Sequence, residues 1–480
     1  MIRSALPQHS VPFYVWPLIL LAIVVAFIAT LDPQTLVITV PVGVGLLAMG
    51  VFLLVLWRRR GGTIPWFEIG AVYVTVVALY MSYPLIGYLA LHRTYTPLND
   101  ARLYMLQPEA DDMGRIAWLY VCHLMAFAGT YLLVRGRLPA RRTYLTRPAL
   151  SIVVAVVAVY LSIEAFSMFV GLFYNTSFDT YLGSYLVARR LPILLAQLFN
   201  HLNGMKYVLS LMLLATLFSR YPASRLLIAG WLVAVAFITL ARLGSRTELV
   251  LLILSAAMMY DTLVGPIRPR LVMTVAACGL VGFVAFGAIR NGISITGDGT
   301  VINPFSYTTE FESLFANAVH LDRERPTLEK LPPAFYLADV AALIPQQLAP
   351  FTKVDRADWY VNKFFPEYAQ AGGGLAFGTI SESVLMGGWL SALAAGAALG
   401  FCFAKVHRFH VRYARNFWVF VLYVWVTTLS YQSFRSGTFA LLLLFFYRFV
   451  AAVIFVNVLA AVLRPAMLSS RPPSSANATA

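Results

Sequence analysis

The stretch NFWVFVLYVWVTTLSYQSFRSGTFALLLLFFYRFVAAVIFVNVLAAVL (residues 416–463) sets the terms for the whole chain. Its two apolar runs, 416–433 and 437–463, are each long enough to cross a hydrocarbon core, which takes roughly 17–25 helical residues. The turn between them is very short, carries no acid and holds Arg435. The segment just before, KVHRFHVRYAR (405–415), is strongly basic. Membrane proteins concentrate Lys and Arg in their cytoplasmic loops. Residues 405–415 therefore face inward, and Arg435 lies on the opposite side against that bias.

Working outward gives apolar spans at 11–30, 36–57, 66–90, 116–134, 149–173, 193–218, 226–241, 249–264, 271–288 and 376–403 as well. The expected fold class is an all-α polytopic membrane protein of about 12 transmembrane helices. Composition agrees: of 480 residues 60% are hydrophobic and 12% charged, where soluble domains carry charge on about a quarter. Residues 58–60, 135–147, 219–225 and 265–270 are basic and read as cytoplasmic. Apart from Glu68, Asp261 and the intramembrane Glu164, every acid maps to an outward segment. Both termini come out cytoplasmic, and 11–30 is too long for a signal-peptide core, so it reads as a retained helix. The net charge of +15 follows largely from the cytoplasmic loops and implies no nucleic-acid partner. Cys122, Cys278 and Cys402 are too scattered for a disulfide framework or a metal site.

The expected organisation is an N-terminal membrane bundle over 1–288, one large outward loop over 289–375, C-terminal membrane helices over 376–463 and a Pro- and Ser-rich cytoplasmic tail over 464–480. Loops as long as the second are uncommon unless they act as lids or binding elements. Within it, FYLADVAALIPQQLAPF (335–351) is apolar but interrupted by Pro345 and Pro350, which predicts a broken helix at the interface or dipping into the bundle.

The candidate chemistry is cationic. A guanidinium is a permanently charged fork of donors that matches phosphate oxygens in pairs. Arg242 and Arg246 in ARLGSRTEL (241–249), Arg290, and Arg435 in SFRSGTF (433–439) are the outward candidates, with Lys353 beside them; Arg189 and Arg190 read as headgroup contacts. The alternative for Arg242 and Arg246 is an interfacial ion pair with Glu248. The second constellation is AGGGLAFGTISESVLMGGW (371–389), where Gly372, Gly373 and Gly374 permit close backbone approach and Glu382 falls about two turns into the next helix. A carboxylate at such depth is either a general base or the partner of an arginine. Glu164 poses the same question, with an ion pair favoured, and Arg448 is a partner for some such acid or marks the inner end of its helix. Glu310, Glu312 and His320 in the long loop are candidate ligand contacts, His320 as a base or proton shuttle against a plain polar loop histidine, and Asp111-Asp112 or Glu310 and Glu312 are candidates for a divalent ion against a plain reading as solvated charges. No Walker sequence, complete GxGxxG, HExxH or GxSxG occurs, so soluble-type nucleotide, zinc or serine-hydrolase chemistry has no foothold.

The order GSRTELVLLIL (244–254), RNGI (290–293), IPQQLAPFTK (344–353), AGGGLAFGTISESVLMGGW (371–389) and SFRSGTF (433–439) resembles the Wzy-type O-antigen or oligosaccharide repeat-unit polymerases of bacterial surface-polysaccharide pathways. The resemblance covers most of the chain from about residue 240 onward. It implies a GT-C-like fold in the bacterial inner membrane and a glycosyltransferase acting on the periplasmic face without cofactor or metal. A growing glycan would pass from undecaprenyl pyrophosphate to the next lipid-linked unit, with a chain-length regulator and a flippase as pathway partners. On this resemblance Arg242, Arg246, Arg290, Arg435 and Lys353 bind the pyrophosphate, and Glu382, Arg290 and Arg435 are catalytic. Some members carry an arginine, ten residues and a glycine in two periplasmic loops; the nearest match here is Lys363 to Gly374. The alternatives are an O-antigen ligase, which transfers to lipid A core, and a lipid-linked oligosaccharide flippase or transporter.

Overall fold

A computed structural model describes residues 36–60, 66–90, 109–136, 145–173, 192–220, 230, 246–265, 267, 310–328, 331, 333–344, 348, 353–370 and 374–469. Among the described residues the protein is helical and contains no strand. Among the described residues six helices are long and apolar enough to cross a membrane: Leu36–Arg59, Ala110–Arg135, Leu150–Val170, Leu198–Ser219, Trp389–Arg412 and Ala440–Pro465. The apolar helices Ile69–Leu85, Val250–Leu263 and Phe417–Leu429 are shorter. The expected spans 11–30, 226–241 and 271–288 lie outside the described residues, residue 230 excepted.

The chain groups into two compact units. The first comprises residues 1–141, 268–408 and 430–440. Its helices are α1 (Leu36–Arg59), α2 (Ile69–Ala90) and α3 (Ala110–Arg135), followed by α7 (Glu310–Glu324), α8 (Pro333–Tyr336), α9 (Ala338–Ala341), α10 (Arg356–Phe364), α11 (Pro366–Gln370), α12 (Thr379–Met386), most of α13 (Trp389–Arg412) and α15 (Gln432–Arg435). The second unit comprises residues 142–267, 409–429 and 441–480. It holds α4 (Leu150–Phe173), α5 (Ile193–Arg220), α6 (Arg246–Leu263), α14 (Phe417–Leu429), a π-helical stretch at Phe445–Val450 and α17 (Ala451–Ser469). Between α15 and that stretch, α16 (Ala440–Leu444) bridges the sequence.

In the first unit, helices approach closely where glycine removes the side chain. A Cβ built on Gly400 of α13 would come within 2.5 Å of the Phe127 carbonyl oxygen of α3, and Gly396 meets the His123 carbonyl in the same way. Small residues four apart let apolar helices pack backbone to backbone, where dispersion and weak polar contacts replace the hydrophobic effect. At one end of these helices Glu68 accepts from Arg135 through both oxygens, at 2.5 and 3.0 Å, and from the Tyr131 hydroxyl at 2.9 Å. Arg60 adds a second guanidinium at 3.8 Å, and the His407 ring lies 3.9 Å away. This buried bidentate pair ties the start of α2 to the end of α3.

The expected continuous span 376–403 is broken. The N–H groups of Gly387 and Gly388 both bond to the Ser383 carbonyl, at 3.1 and 2.6 Å. Gly388 adopts φ +59°, a left-handed conformation that glycine takes without steric cost and that terminates a helix. Hydropathy cannot register that stop, because the residues on either side are equally apolar. Glu382 accordingly lies in the first turn of the short α12 rather than two turns into a span.

The second unit carries its own polar seam. Lys206 pairs with Glu164 at 3.0 Å, the Ser167 hydroxyl donates to Asn203 at 2.9 Å, and the Tyr207 hydroxyl bonds Ser255 and Thr428 at 2.8 and 2.7 Å. The ion pair expected for Glu164 thus has Lys206 as its partner. Arg448, on the π-helical stretch, lies over Gly204, and Asn416 caps α14 by accepting from the N–H groups of Trp418 and Val419.

Gly400→Ala is expected to destabilise the purified protein by about 1–3 kcal/mol, because the carbonyl that the new methyl meets cannot rotate away. Gly129→Ala, on α3 with nothing within 4 Å, is the control and should leave the thermal unfolding midpoint in detergent unchanged or slightly raised.

Candidate functional site

Within the first unit, elements from 310–370 pack onto α12 and the arginine turn. Asp355 starts α10 by accepting from the N–H groups of Ala357 and Asp358 at 2.8 and 3.2 Å, which fixes the first-turn residue Arg356. The Arg356 side chain, 7% exposed, donates to the Phe335 carbonyl at 3.1 Å, to Asp339 at 3.0 Å and to Oε1 of Glu382. The second carboxylate oxygen of Glu382 accepts from the backbone N–H and the hydroxyl of Thr438, at 3.0 and 2.9 Å. Thr379 adds a hydroxyl bond to the Ser433 carbonyl at 2.7 Å. The turn 432–438 is therefore stitched to α12 on both sides of Arg435.

Glycine is required at one point of that turn. Gly437 has φ +119°, and a Cβ there would lie 2.5 Å from Oε1 of Glu382. Burial is the main influence on the Glu382 carboxyl, which precedes the span Trp389–Arg412, and it raises the group above the usual carboxylate range. Asp339 adds to that rise, while Arg356 and the Thr438 bonds oppose it without cancelling it.

A second set of contacts fastens α7 to the start of α3. Asp112 accepts from Arg115 at 2.6 Å and from Arg323, and Arg115 reaches Asp322 at 3.1 Å. The metal reading of Asp111-Asp112 fails on this geometry, since Asp112 is already occupied by guanidinium groups. No group of three or more His, Cys, Asp or Glu that could hold a metal occurs among the described residues. His320 is buried on α7, bonded to the Tyr360 hydroxyl at 2.8 Å and set against the rings of Phe364 and Phe365. Glu312 is buried on α7, where its charge acts on Tyr83. Lys353 donates to the Ile344 carbonyl.

Arg435 and Glu382 are thus brought to one local structure, with the turn itself as the link. Gly374 lies in the non-helical chain leading into α12. Arg242, Arg290, Gly372 and Gly373 lie outside the described residues, as do the side chains of Arg246 and Glu310. Sequence reasoning missed Arg356, Asp339 and Thr438. The available signal for Arg356 was its place directly after a capping aspartate in DRADWYVNKF (355–364), an amphipathic segment inside an otherwise apolar protein. Comparison with family models, with curated proteins and with solved structures finds no match.

Arg356→Ala is expected to destabilise the protein by about 3–5 kcal/mol, because it leaves the buried Glu382 carboxylate beside the half-buried Asp339 without the cation. Glu382→Gln keeps one oxygen to accept from Arg356, which also retains Asp339, and turns its NH2 toward the Thr438 N–H, so it should cost less than losing the cation. Thermal unfolding of the two variants in detergent compares them directly.

Proposed function

We propose that this chain is a repeat-unit polymerase of lipid-linked oligosaccharides, a GT-C-like enzyme of about 12 spans in the bacterial inner membrane with its working face periplasmic. The observation that carries the reading is the fastening of the arginine turn to elements of the long loop through Arg356, Glu382 and Thr438. A flexible arginine turn would only attract anions; a turn fixed on both sides can hold one in a set geometry. Preorganised charge of that kind is the largest contribution where a phosphate group must depart.

In the proposed reaction a hydroxyl oxygen of the lipid-linked acceptor unit attacks the anomeric carbon at the reducing end of the donor glycan. The bond from that carbon to the pyrophosphate oxygen breaks, and undecaprenyl pyrophosphate leaves with the bonding electron pair. The hydroxyl proton passes to a nearby base or to the departing oxyanion. Arg435 stabilises the charge on the leaving group, with Arg242, Arg246 and Arg290 as further cations from the sequence reading. Glu382, whose two oxygens are taken up by Arg356 and Thr438, serves as a positioning residue for the turn. The donor's glycosyl phosphate bond supplies the driving force, so no nucleotide sugar is required.

Arg435→Ala is expected to lower chain extension by at least about 100-fold, the scale of losing one preorganised donor to a developing oxyanion, while protein level and membrane insertion persist. The length distribution of polysaccharide from cells carrying this variant is the measurement; near-normal polymer would count against the assignment.

A further inference from the structure

The segment 335–344, which contains the end of α8 and all of α9, is apolar on both of its faces. Phe335, Ala338 and Ala341 are buried, whereas Leu337, Val340 and Ile344 are 61%, 54% and 37% exposed. The two sets interleave at helical spacing, so they mark an inner and an outer face of one short element. Its single charge, Asp339, is turned onto Arg356 at 3.0 Å. An outer face turned to water would carry polar side chains. One exposed aliphatic residue is ordinary on any surface, but a contiguous set calls for something to cover it.

The backbone of this element is closed on itself. The N–H groups of Ala341, Ala342, Leu343 and Ile344 donate to the carbonyls of Leu337, Ala338, Val340 and Ala341, at 2.8, 2.9, 3.1 and 3.2 Å. Lys353 donates to the Ile344 carbonyl at the far end. Chain that enters lipid must satisfy its own polar groups, and this stretch does.

Its tether sets its depth. Arg356 holds the Phe335 carbonyl and Asp339 on one side and Glu382 of α12 on the other. From α12 the chain passes through the stop at Gly387 and Gly388 directly into α13, one of the helices able to span. That helix opens with Trp389 and Leu390, 49% and 78% exposed, an aromatic and an aliphatic side chain of the kind found where a helix enters hydrocarbon. Arg325 lies at the same level, its Nη1 3.8 Å from a Cβ built on Gly388. The apolar face is thus fastened beside the point where the chain enters the membrane.

We propose that the outer face of 335–344 is a lipid-surface anchor, with Leu337, Val340 and Ile344 seated in the bilayer that α13 crosses. Of the two placements open to the sequence, this selects the interface over the interior of the bundle. Lipid is the occupant because the face continues the level of Trp389 and Arg325, and because Lys353 puts a cation at its edge, as interfacial helices do toward phosphate headgroups. The inference requires only that α13 spans the membrane and is independent of the polymerase reading. Its consequence for the site is mechanical. The carbonyl and carboxylate that hold Arg356 belong to a lipid-anchored element, so the bilayer surface fixes Arg356 and, through Glu382, the arginine turn.

The test places a nitroxide on the full chain in phosphatidylcholine nanodiscs, after Cys122→Ala, Cys278→Ala and Cys402→Ala remove the native thiols. Labels at Leu337→Cys and Val340→Cys are compared with Leu393→Cys, exposed on α13, as the lipid reference, and with Asn362→Cys, exposed on α10, as the water reference. Power saturation with oxygen, which concentrates in lipid, and with a water-soluble nickel chelate reads the surroundings of each label. Labels at 337 and 340 that favour oxygen, as the one at 393 does, support the anchor. Labels that favour the nickel chelate, as the one at 362 does, overturn it in favour of a solvated face. Labels shielded from both reagents overturn it in favour of a protein cover, from another segment of this chain or a second copy. A second measurement keeps the native cysteines: Leu337→Glu and Val340→Glu should each lower the unfolding midpoint in nanodiscs by about 2–4 °C, since the new charge has to leave water. Unchanged midpoints in both variants would also overturn the proposal.

Discussion

A carboxylate buried in a membrane protein must satisfy both of its oxygens, and the way Glu382 does so governs the candidate site. One oxygen takes a donor from Arg356 on α10 and the other takes two from Thr438. Three separate pieces of sequence, one from the long loop, one from the short helix α12 and one from the turn after α14, are joined at a single side chain. Each could adopt another arrangement alone. Together they have one in which both Glu382 oxygens are hydrogen-bonded, and departing from it costs far more than a surface ion pair would.

The same device recurs at the other end of the first unit, where Glu68 gathers Arg135 and Tyr131. Apolar packing between helices in lipid has little directional preference, because a leucine side chain is as well solvated by lipid as by protein. Direction comes instead from the glycines that allow backbone contact, such as Gly396 and Gly400, and from buried polar pairs that tolerate only one partner. The second unit follows the same logic with Lys206 and Glu164, and with the hydroxyl network around Tyr207.

Much of the helical scaffold was legible in the sequence. The spans expected at 36–57, 116–134 and 149–173 emerge as Leu36–Arg59, Ala110–Arg135 and Leu150–Phe173, because an apolar run of that length has few other stable forms. The stop at Gly387-Gly388 was not legible, since it depends on backbone conformation and leaves hydropathy untouched. Of the expected broken helix over 335–351, the described part forms the end of α8 and the short α9 with Leu337 between them, while Pro345 and Pro350 lie outside the described residues. At the site, a paired arginine was one of two readings for Glu382, yet its identity was hidden. Arg356 precedes it by 26 residues, and nothing in hydropathy or spacing brings those positions together.

The most direct measurement is the pattern of lipid-linked glycans and surface polysaccharide in cells from which this chain has been deleted, separated by length. A repeat-unit polymerase predicts single lipid-linked units and no polymer, restored by the intact chain. Long lipid-linked polymer that never reaches its final acceptor would contradict that account in favour of a ligase, and an unchanged glycan pattern would contradict any role in joining repeat units.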